Sequence, residues 1–166
     1  MIRKSRGQGI VAALLMVMIV ALLAGGMVDV YRLQEARHWA YRAAEAAALD
    51  GAATGRDLSA VYEAGQPRVD PGIGYAVAED ALLDALARRG VGGATYRIEV
   101  LEWGGTAAGF PPISRADMWG SPDWTSSEPA VGVYLAVPVD TFLLGLISGN
   151  QPVTVHAFAA AGVSTQ

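Results

Sequence analysis

The sequence predicts an α+β protein: a long N-terminal helix followed by a small head with one further helix and an antiparallel sheet of about three strands. Three observations predict this class. Residues 10–28 are uniformly apolar, residues 29–50 keep a helical period without Gly or Pro, and the second half of the chain contains three short strand-like runs. Since no long helix separates those runs, we expect antiparallel strands with a helix covering one face.

The composition indicates a membrane segment. The chain has 166 residues, of which 52% are hydrophobic and 17% are charged, and its mean hydropathy is +0.31. These values are too apolar for a disordered chain and high for a soluble globule. The chain has no cysteine, so disulfides, thiolate metal sites and cysteine nucleophiles are excluded.

The N-terminus is typical of a basic leader followed by a membrane span. Residues 1–9 contain Arg3, Lys4 and Arg6 and no acid, whereas the whole chain has a net charge of −4. Residues 10–28 would form a helix about 28 Å long, which matches the hydrocarbon thickness of a bilayer. The basic flank predicts a single-pass protein of the cell membrane, with a cytoplasmic N-terminus and an extracytoplasmic head. The acidic remainder argues against nucleic acid as a partner.

Residues 29–50 extend the same helix as an extracytoplasmic stalk. Leucine and alanine recur there at steps of three and four residues, and Asp50-Gly51 supplies a stop signal. One helix is therefore expected over residues 9–50, about 60 Å long. A cleaved secretory signal, with Ala24 and Gly26 as the small residues before the cut, is the alternative, although no loop follows the apolar run.

Small side chains along the stalk predict a face that lets another backbone approach closely. Two interpretations stay open: this face packs on the sheet of its own chain, or on the stalk of a neighbouring subunit. Asp29, at the end of the span, is expected either to be an interfacial charge paired with Arg32 or to contact a neighbour. Gly25-Gly26 is a weak point where the helix is expected to bend or melt. The candidate assembly residues are Asp29, Arg32, Leu33, Ala40, Ala44 and Ala47.

The head comprises residues 51–166 and begins with a connecting stretch that has room for one helical turn at residues 58–64. A second helix is expected over residues 75–89, because apolar residues share one face and Gly90 supplies a C-cap. An apolar knob at residues 142–147 separates the last two strands. The predicted strands are residues 94–103, 130–139 and 152–159.

Residues 104–129 are expected to form a long loop rich in Gly, Pro and Ser. The loop contains three aromatic residues of interest, Phe110, Trp119 and Trp124. They either cap the core or stand exposed as anchors for a partner, because tryptophan is favoured at interfaces.

No set of residues suggests catalysis, a cofactor or a metal. His38 and His156 lie apart, and no nucleotide-binding, metalloprotease or serine-hydrolase motif is present. Asp117, Asp123 and Glu128 carry oxygen ligands of the kind that calcium prefers, but their spacing matches no calcium loop. We therefore expect a protein that is not an enzyme and has no cofactor, with an exported enzyme as the weakest hypothesis.

Three places in the chain, taken in order, carry a family resemblance. Arg6-Gly7-Gln8 stands before the span, Val28-Asp29-Val30-Tyr31-Arg32-Leu33 begins a helix with an alanine-rich end, and a Phe-Leu-Leu turn precedes the final strand. In this order they resemble the TadE/TadG-like proteins of tight-adherence (Flp-type) pili, which are relatives of type IV pilins. The specific part of the resemblance covers about the first third of the chain, and the remainder agrees in layout.

The resemblance implies a minor pilin or pseudopilin-like membrane component of a pilus or related secretion apparatus. Such a protein acts by assembly with other pilin-like subunits through its N-terminal helix, and its head can become part of an extracellular filament. The alternative hypothesis, from a different class of function, is a membrane-anchored extracytoplasmic binding module that uses residues 104–129.

The resemblance also implies a prepilin peptidase as a partner. In the pilin pattern the fifth residue after the cut is a glutamate that meets the N-terminal amine of a neighbour, and here that position is Ala12 or Leu14. The missing glutamate agrees with TadG-like members and the short length with TadE-like ones, so both stay open. The candidate cleavage sites are Gly7–Gln8 and Gly9–Ile10.

Overall fold

The computed structural model describes residues 5–112 and 123–164. The chain divides into two compact units: unit 1 consists of Met1–Glu35 and Val139–Val153, and unit 2 of Ala36–Pro138 and Thr154–Gln166. The elements in chain order are α1 (Ser5–Thr54), β1 (Arg56–Asp57), α2 (Ser59–Ala64), β2 (Arg68–Val69), α3 (Pro71–Arg89), β3 (Thr95–Leu101), β4 (Gly105–Ala107), β5 (Trp124–Ser126), β6 (Ala130–Val139), α4 (Leu143–Ser148) and β7 (Val153–Gly162). The predicted α+β class is confirmed.

The helix α1 contains 50 residues and is longer than predicted at both ends. At 1.5 Å per residue it is about 75 Å long. The predicted stop at Asp50-Gly51 is wrong, because the helix continues for another turn and the N–H of Gly55 donates to the carbonyl oxygen of Gly51 at 2.9 Å. The helix is also unbroken at Gly25-Gly26, where the composition predicts a weak point.

The helix α3 begins at Pro71, four residues before the predicted start. The carboxylate of Asp70 accepts a hydrogen bond from the N–H of Ile73 at 2.9 Å, and Pro71 follows in the first helical turn. This N-cap and proline together form a start signal that the apolar period alone does not contain. The predicted C-cap is confirmed, since Gly90 has a φ of 68°.

A three-stranded sheet with the order β3-β6-β7 forms the centre of unit 2. The strands β3 and β6 are antiparallel, with Thr95 opposite Ala136 and Leu101 opposite Ala130. Residues 130–137 of β6 are all buried, which explains why this strand is apolar without alternation. The strand β7 extends to Gly162, beyond the predicted end at residue 159. From Val155 onward its buried residues alternate with half-buried or exposed ones.

The outer part of α1 packs against α3 through glycines. A Cβ atom built on Gly51 would lie 2.6 Å from the carbonyl oxygen of Gly74 and 2.9 Å from the Cβ of Ala78. It would also lie 3.4 Å from a methyl group of Val131 in β6. Gly51 is therefore required for the close approach of two helices over the sheet, and this packing explains why a glycine stands inside α1.

The predicted loop over residues 104–129 contains two short strands. The strands β4 and β5 pair in antiparallel register, with Gly105 opposite Ser126 and Ala107 opposite Trp124. Nearer the start of the head, α2 occupies the position of the predicted helical turn, and β1 and β2 pair on either side of it. Short strand pairs of this kind escape a sequence pattern because they contain too few residues to show a period.

Candidate functional site

The apolar part of α1 is exposed on all sides. Residues 9–24 form an unbroken run of exposed residues, and the side chain of Leu14 is 61% exposed. Water would impose a large hydrophobic penalty on such a surface, whereas lipid would not. Among the described residues, the helix from Gly9 is the one that is long and apolar enough to span a membrane.

The helix α1, which begins at Ser5, contains all four candidate cleavage residues: Gly7, Gln8, Gly9 and Ile10. Ile10 is 64% exposed. A Cβ built on Gly9 would meet no atom within 4 Å. The processing of this segment stays a prediction.

A carboxylate is buried where the apolar run ends. Asp29 is 1% exposed, and its two carboxylate oxygens accept hydrogen bonds from three consecutive backbone N–H groups. The donors are Phe142 at 2.6 Å, Leu143 at 2.7 Å and Leu144 at 2.9 Å. These N–H groups belong to the start of α4, where a helix has no internal partners for its first donors. A negative charge is also favourable at that end of a helix.

Two glycines one turn before Asp29 lie beside the segment that it binds. A Cβ built on Gly25 would lie 3.5 Å from Cδ1 of Phe142, and one built on Gly26 would lie 3.8 Å from Cδ2 of Leu143. The loop therefore lies directly on the backbone surface of α1. We define residues 140–152, which contain α4, as the α4 loop.

The structure adds a partner for Asp29 that the sequence did not predict. Its carboxylate is buried and accepts from backbone N–H groups of its own chain, while Arg32 lies close enough for its charge to favour the ionised carboxylate. A contact of Asp29 with a neighbouring stalk stays a prediction. Sequence reasoning missed the α4 loop as its partner, since the two are 113 residues apart. Arg32 is exposed and Leu33 is half-buried, so these two residues are the accessible members of the predicted assembly set within unit 1.

In unit 2 the structure corrects the predicted assembly role of the stalk alanines. Ala40 and Ala44 are fully buried and Ala47 is 1% exposed. The sequence left two interpretations of this face open. For these three residues the structure agrees with the first, in which the face packs inside its own chain. A neighbouring subunit has no access to them in this structure.

The aromatic residues of the predicted partner loop cover the sheet. Phe110 is fully buried, and its ring centroid lies 5.8 Å from that of Trp124 and 5.4 Å from that of Phe158. A Cβ on Gly132 of β6 would come within 2.8 Å of both Phe110 and Trp124, so the two rings pack directly on the strand. These two residues therefore cap the core and do not stand free as anchors. Trp119 lies outside the described residues.

The titratable groups of unit 2 form hydrogen bonds that stabilise its surface. Ser59 donates to Asp57 through its hydroxyl at 2.6 Å and its N–H at 2.9 Å, and Arg68 donates to the other carboxylate oxygen at 2.7 Å. The Ser59 hydroxyl is the main cause of a lowered pKa for Asp57, with Arg68 adding to it. The Tyr96 hydroxyl donates to Glu79 at 2.8 Å, and this bond raises the pKa of Tyr96.

The part of the chain that the structure describes contains no group of three His, Asp or Glu residues able to hold a metal ion. Of the possible calcium ligands, Asp117 lies outside that part, and Asp123 accepts a hydrogen bond from the N–H of Gly109 at 2.8 Å. His156 forms a hydrogen bond with the Tyr134 hydroxyl at 2.8 Å, within the sheet. This bond and the stacking of the two rings orient both side chains.

An open groove of about 460 Å³ lies between α1 and α3 in unit 2. The guanidinium of Arg89 lies 5.7 Å from the ring centroid of Trp39 at its edge. Asp84 and Arg88 form an ion pair along the same groove.

No protein-family model, curated protein or solved structure matches this chain. The candidate functional surfaces are therefore defined by geometry alone: the exposed apolar part of α1, and the α4 loop that Asp29 holds against it.

Proposed function

We propose that the protein is a minor pilin or pseudopilin-like membrane component of a Tad/Flp-type pilus or related secretion apparatus, and that it acts by assembly. The observation that carries the proposal is the construction of α1. One helix of 50 residues has an exposed apolar first part and a second part that is buried in an α+β head. Pilin-like subunits have this architecture.

The first part of α1 favours an apolar solvent over water. Residues 9–24 need an apolar environment on every side, and either lipid or the same segments of other subunits provide one. Assembly exchanges lipid contacts for helix contacts without exposing these residues to water. Because the alanine face of the stalk is already used inside the head, subunit contacts are confined to the apolar part and to exposed stalk residues such as Arg32.

The alternative of a binding module that uses residues 104–129 is not favoured. Two of its three aromatic anchors, Phe110 and Trp124, are packed against the sheet. No described residue suggests a ligand for that loop.

The proposal is tested by disulfide crosslinking in the native host, because the chain contains no cysteine to interfere. We expect Val17→Cys, a 66% exposed position in the apolar part of α1, to crosslink to other subunits under mild oxidation. The control is Tyr62→Cys on α2, which is 91% exposed and lies outside α1. A Val17→Cys protein that stays monomeric at native abundance would contradict assembly through α1.

N-terminal sequencing of the protein from cell envelopes adds a second readout. A start at Gln8 or Ile10 would support prepilin-type processing with the apolar segment retained. A start at Met27 would mean a secreted soluble domain, and the proposal would fail.

A further inference from the structure

The α4 loop is an exposed apolar surface whose one charged residue, Asp140, stands at its start. Residues 141–153 contain no charged side chain. Its large side chains point outward: Phe142 is 62% exposed, Leu146 is 66% exposed and Ile147 is 78% exposed. A cluster of this kind on a loop between two strands needs an apolar partner.

The position of the loop identifies that partner. The loop and the first 35 residues form one compact unit, and Phe142 and Leu143 contact α1 at Gly25 and Gly26. These glycines come directly after the exposed apolar run of residues 9–24. The exposed surface of the loop is therefore continuous with the surface of α1 that needs lipid.

The backbone of the loop is also prepared for an apolar environment. In lipid, a backbone N–H or C=O without a partner is strongly destabilising, because no water is there to replace the partner. Asp29 accepts from the N–H groups of the N-cap residue Phe142 and of the first two residues of the loop helix. The N–H of Asn150 donates to the carbonyl oxygen of Gly145 at 2.6 Å. The Ser148 hydroxyl reaches the carbonyl oxygens of Gly145 and Gln151 at 3.4 Å and 3.2 Å. A helix of only six residues thus has partners at both ends.

We propose that the α4 loop inserts into the boundary between headgroups and acyl chains of the outer leaflet, and that Asp29 holds it there. The protein then contacts the bilayer at two depths, with α1 across it and the side chains of Phe142, Leu146 and Ile147 in its outer boundary. This inference rests on the membrane span in the proposed function, but it does not require a pilus.

The test uses the full-length chain in vesicles of phosphatidylcholine and phosphatidylglycerol. Single cysteines at Ile147, Leu14 and Tyr62 carry an environment-sensitive NBD fluorophore, and nitroxide groups at shallow or deep positions of the lipid chains quench it. We expect the label at Ile147 to be blue-shifted and quenched by shallow nitroxides. The label at Leu14 should be quenched by deep nitroxides, and the label at Tyr62 by neither.

The outcomes separate the two proposals. If the label at Ile147 behaves like that at Tyr62 while the label at Leu14 is quenched, the loop proposal is overturned and the span stands. If the label at Leu14 is not quenched, the span itself fails and the proposed function fails with it. If the label at Ile147 is blue-shifted, unquenched by lipid nitroxides and crosslinked to a second copy, the occupant is another subunit and the lipid proposal is wrong.

A second variant tests the role of Asp29. In Asp29→Asn, one carboxylate oxygen is replaced by an amide that cannot accept, so we expect the amides of residues 142–144 to lose hydrogen-exchange protection by about tenfold or more. The label at Ile147 should also shift toward the red. The matched control is Asp140→Asn, an exposed residue of the same loop. Unchanged exchange and emission in Asp29→Asn would overturn the holding role of Asp29.

Discussion

The two parts of α1 belong to one helix but are built from different side chains. Residues 9–24 are rich in leucine, valine, isoleucine and methionine and are exposed throughout, whereas the later part buries Ala40, Ala44 and Ala47 and closes on Gly51. Lipid adapts to any shape, so large side chains suit the first part. A second protein element has a fixed shape, so only small residues let it approach the later part.

The two units also differ in the exposure of their phenylalanines. Phe110 is fully buried against Trp124 and Phe158 in unit 2, and Phe142 is 62% exposed in unit 1. A buried aromatic ring stabilises a fold by filling space, whereas an exposed one beside an apolar helix contributes to what the surface contacts.

Equal substitutions at the two phenylalanines should therefore have unequal effects. Phe110→Ala leaves a cavity beneath the aromatic cluster and should lower the free energy of unfolding of the head by about 3–5 kcal/mol. Phe142→Ala should leave that free energy unchanged and weaken the membrane contact of the α4 loop. Near-UV circular dichroism during thermal unfolding in detergent measures the first effect. Equal melting temperatures for the two variants would contradict the comparison.

The glycines of α1 give a second contrast, of smaller size. Gly51→Ala places a methyl group 2.6 Å from the carbonyl oxygen of Gly74, so α1 and α3 must separate, at a cost of about 1–3 kcal/mol. Gly26→Ala is the matched control in the same helix, because its added methyl group would lie 3.8 Å from Cδ2 of Leu143, an ordinary van der Waals contact. The same melting experiment should show a loss for Gly51→Ala and none for Gly26→Ala. A loss of equal size in both would mean that room around the glycine is not the cause.

A carboxylate of unit 2 gives the smallest expected effect. Asp57 accepts hydrogen bonds from Ser59 and Arg68, as Asp29 does from the α4 loop, but it lies at a surface where water competes. Its pKa in the folded protein lies below the ordinary value of 3.8. The stability that it contributes is therefore fully present above that value and is lost as the pH falls through the lower, folded pKa.

The corresponding experiment compares Asp57→Asn with the unsubstituted chain across an acid titration. The variant should melt slightly earlier at neutral pH, and the difference should disappear as the pH falls below 3.8. Asp123→Asn, which removes a carboxylate that bonds one backbone N–H, is the control in the same unit. A difference that grows on acidification would have the wrong sign for this mechanism.

Local patterns were enough to predict most of the elements. The uniform apolar run, the alanine period and the apolar face of residues 75–89 predicted two helices, and the strand at residues 130–139 matches β6 at both ends. Errors occurred where a single residue decides a boundary. Asp70 begins α3 one turn early, and Gly51 does not end α1.

The sequence by itself determined the α+β class and the segment that needs an apolar solvent, because both depend on residues within a few positions of one another. The tertiary structure alone decided what each candidate residue contacts. Asp29 meets three N–H groups more than a hundred residues away, and Phe110 meets Trp124 and Phe158. Such contacts arise because buried polar groups need hydrogen-bond partners and cores must be closely packed. The residues that meet these needs are close in space but distant in sequence, so they produce no periodic pattern along the chain.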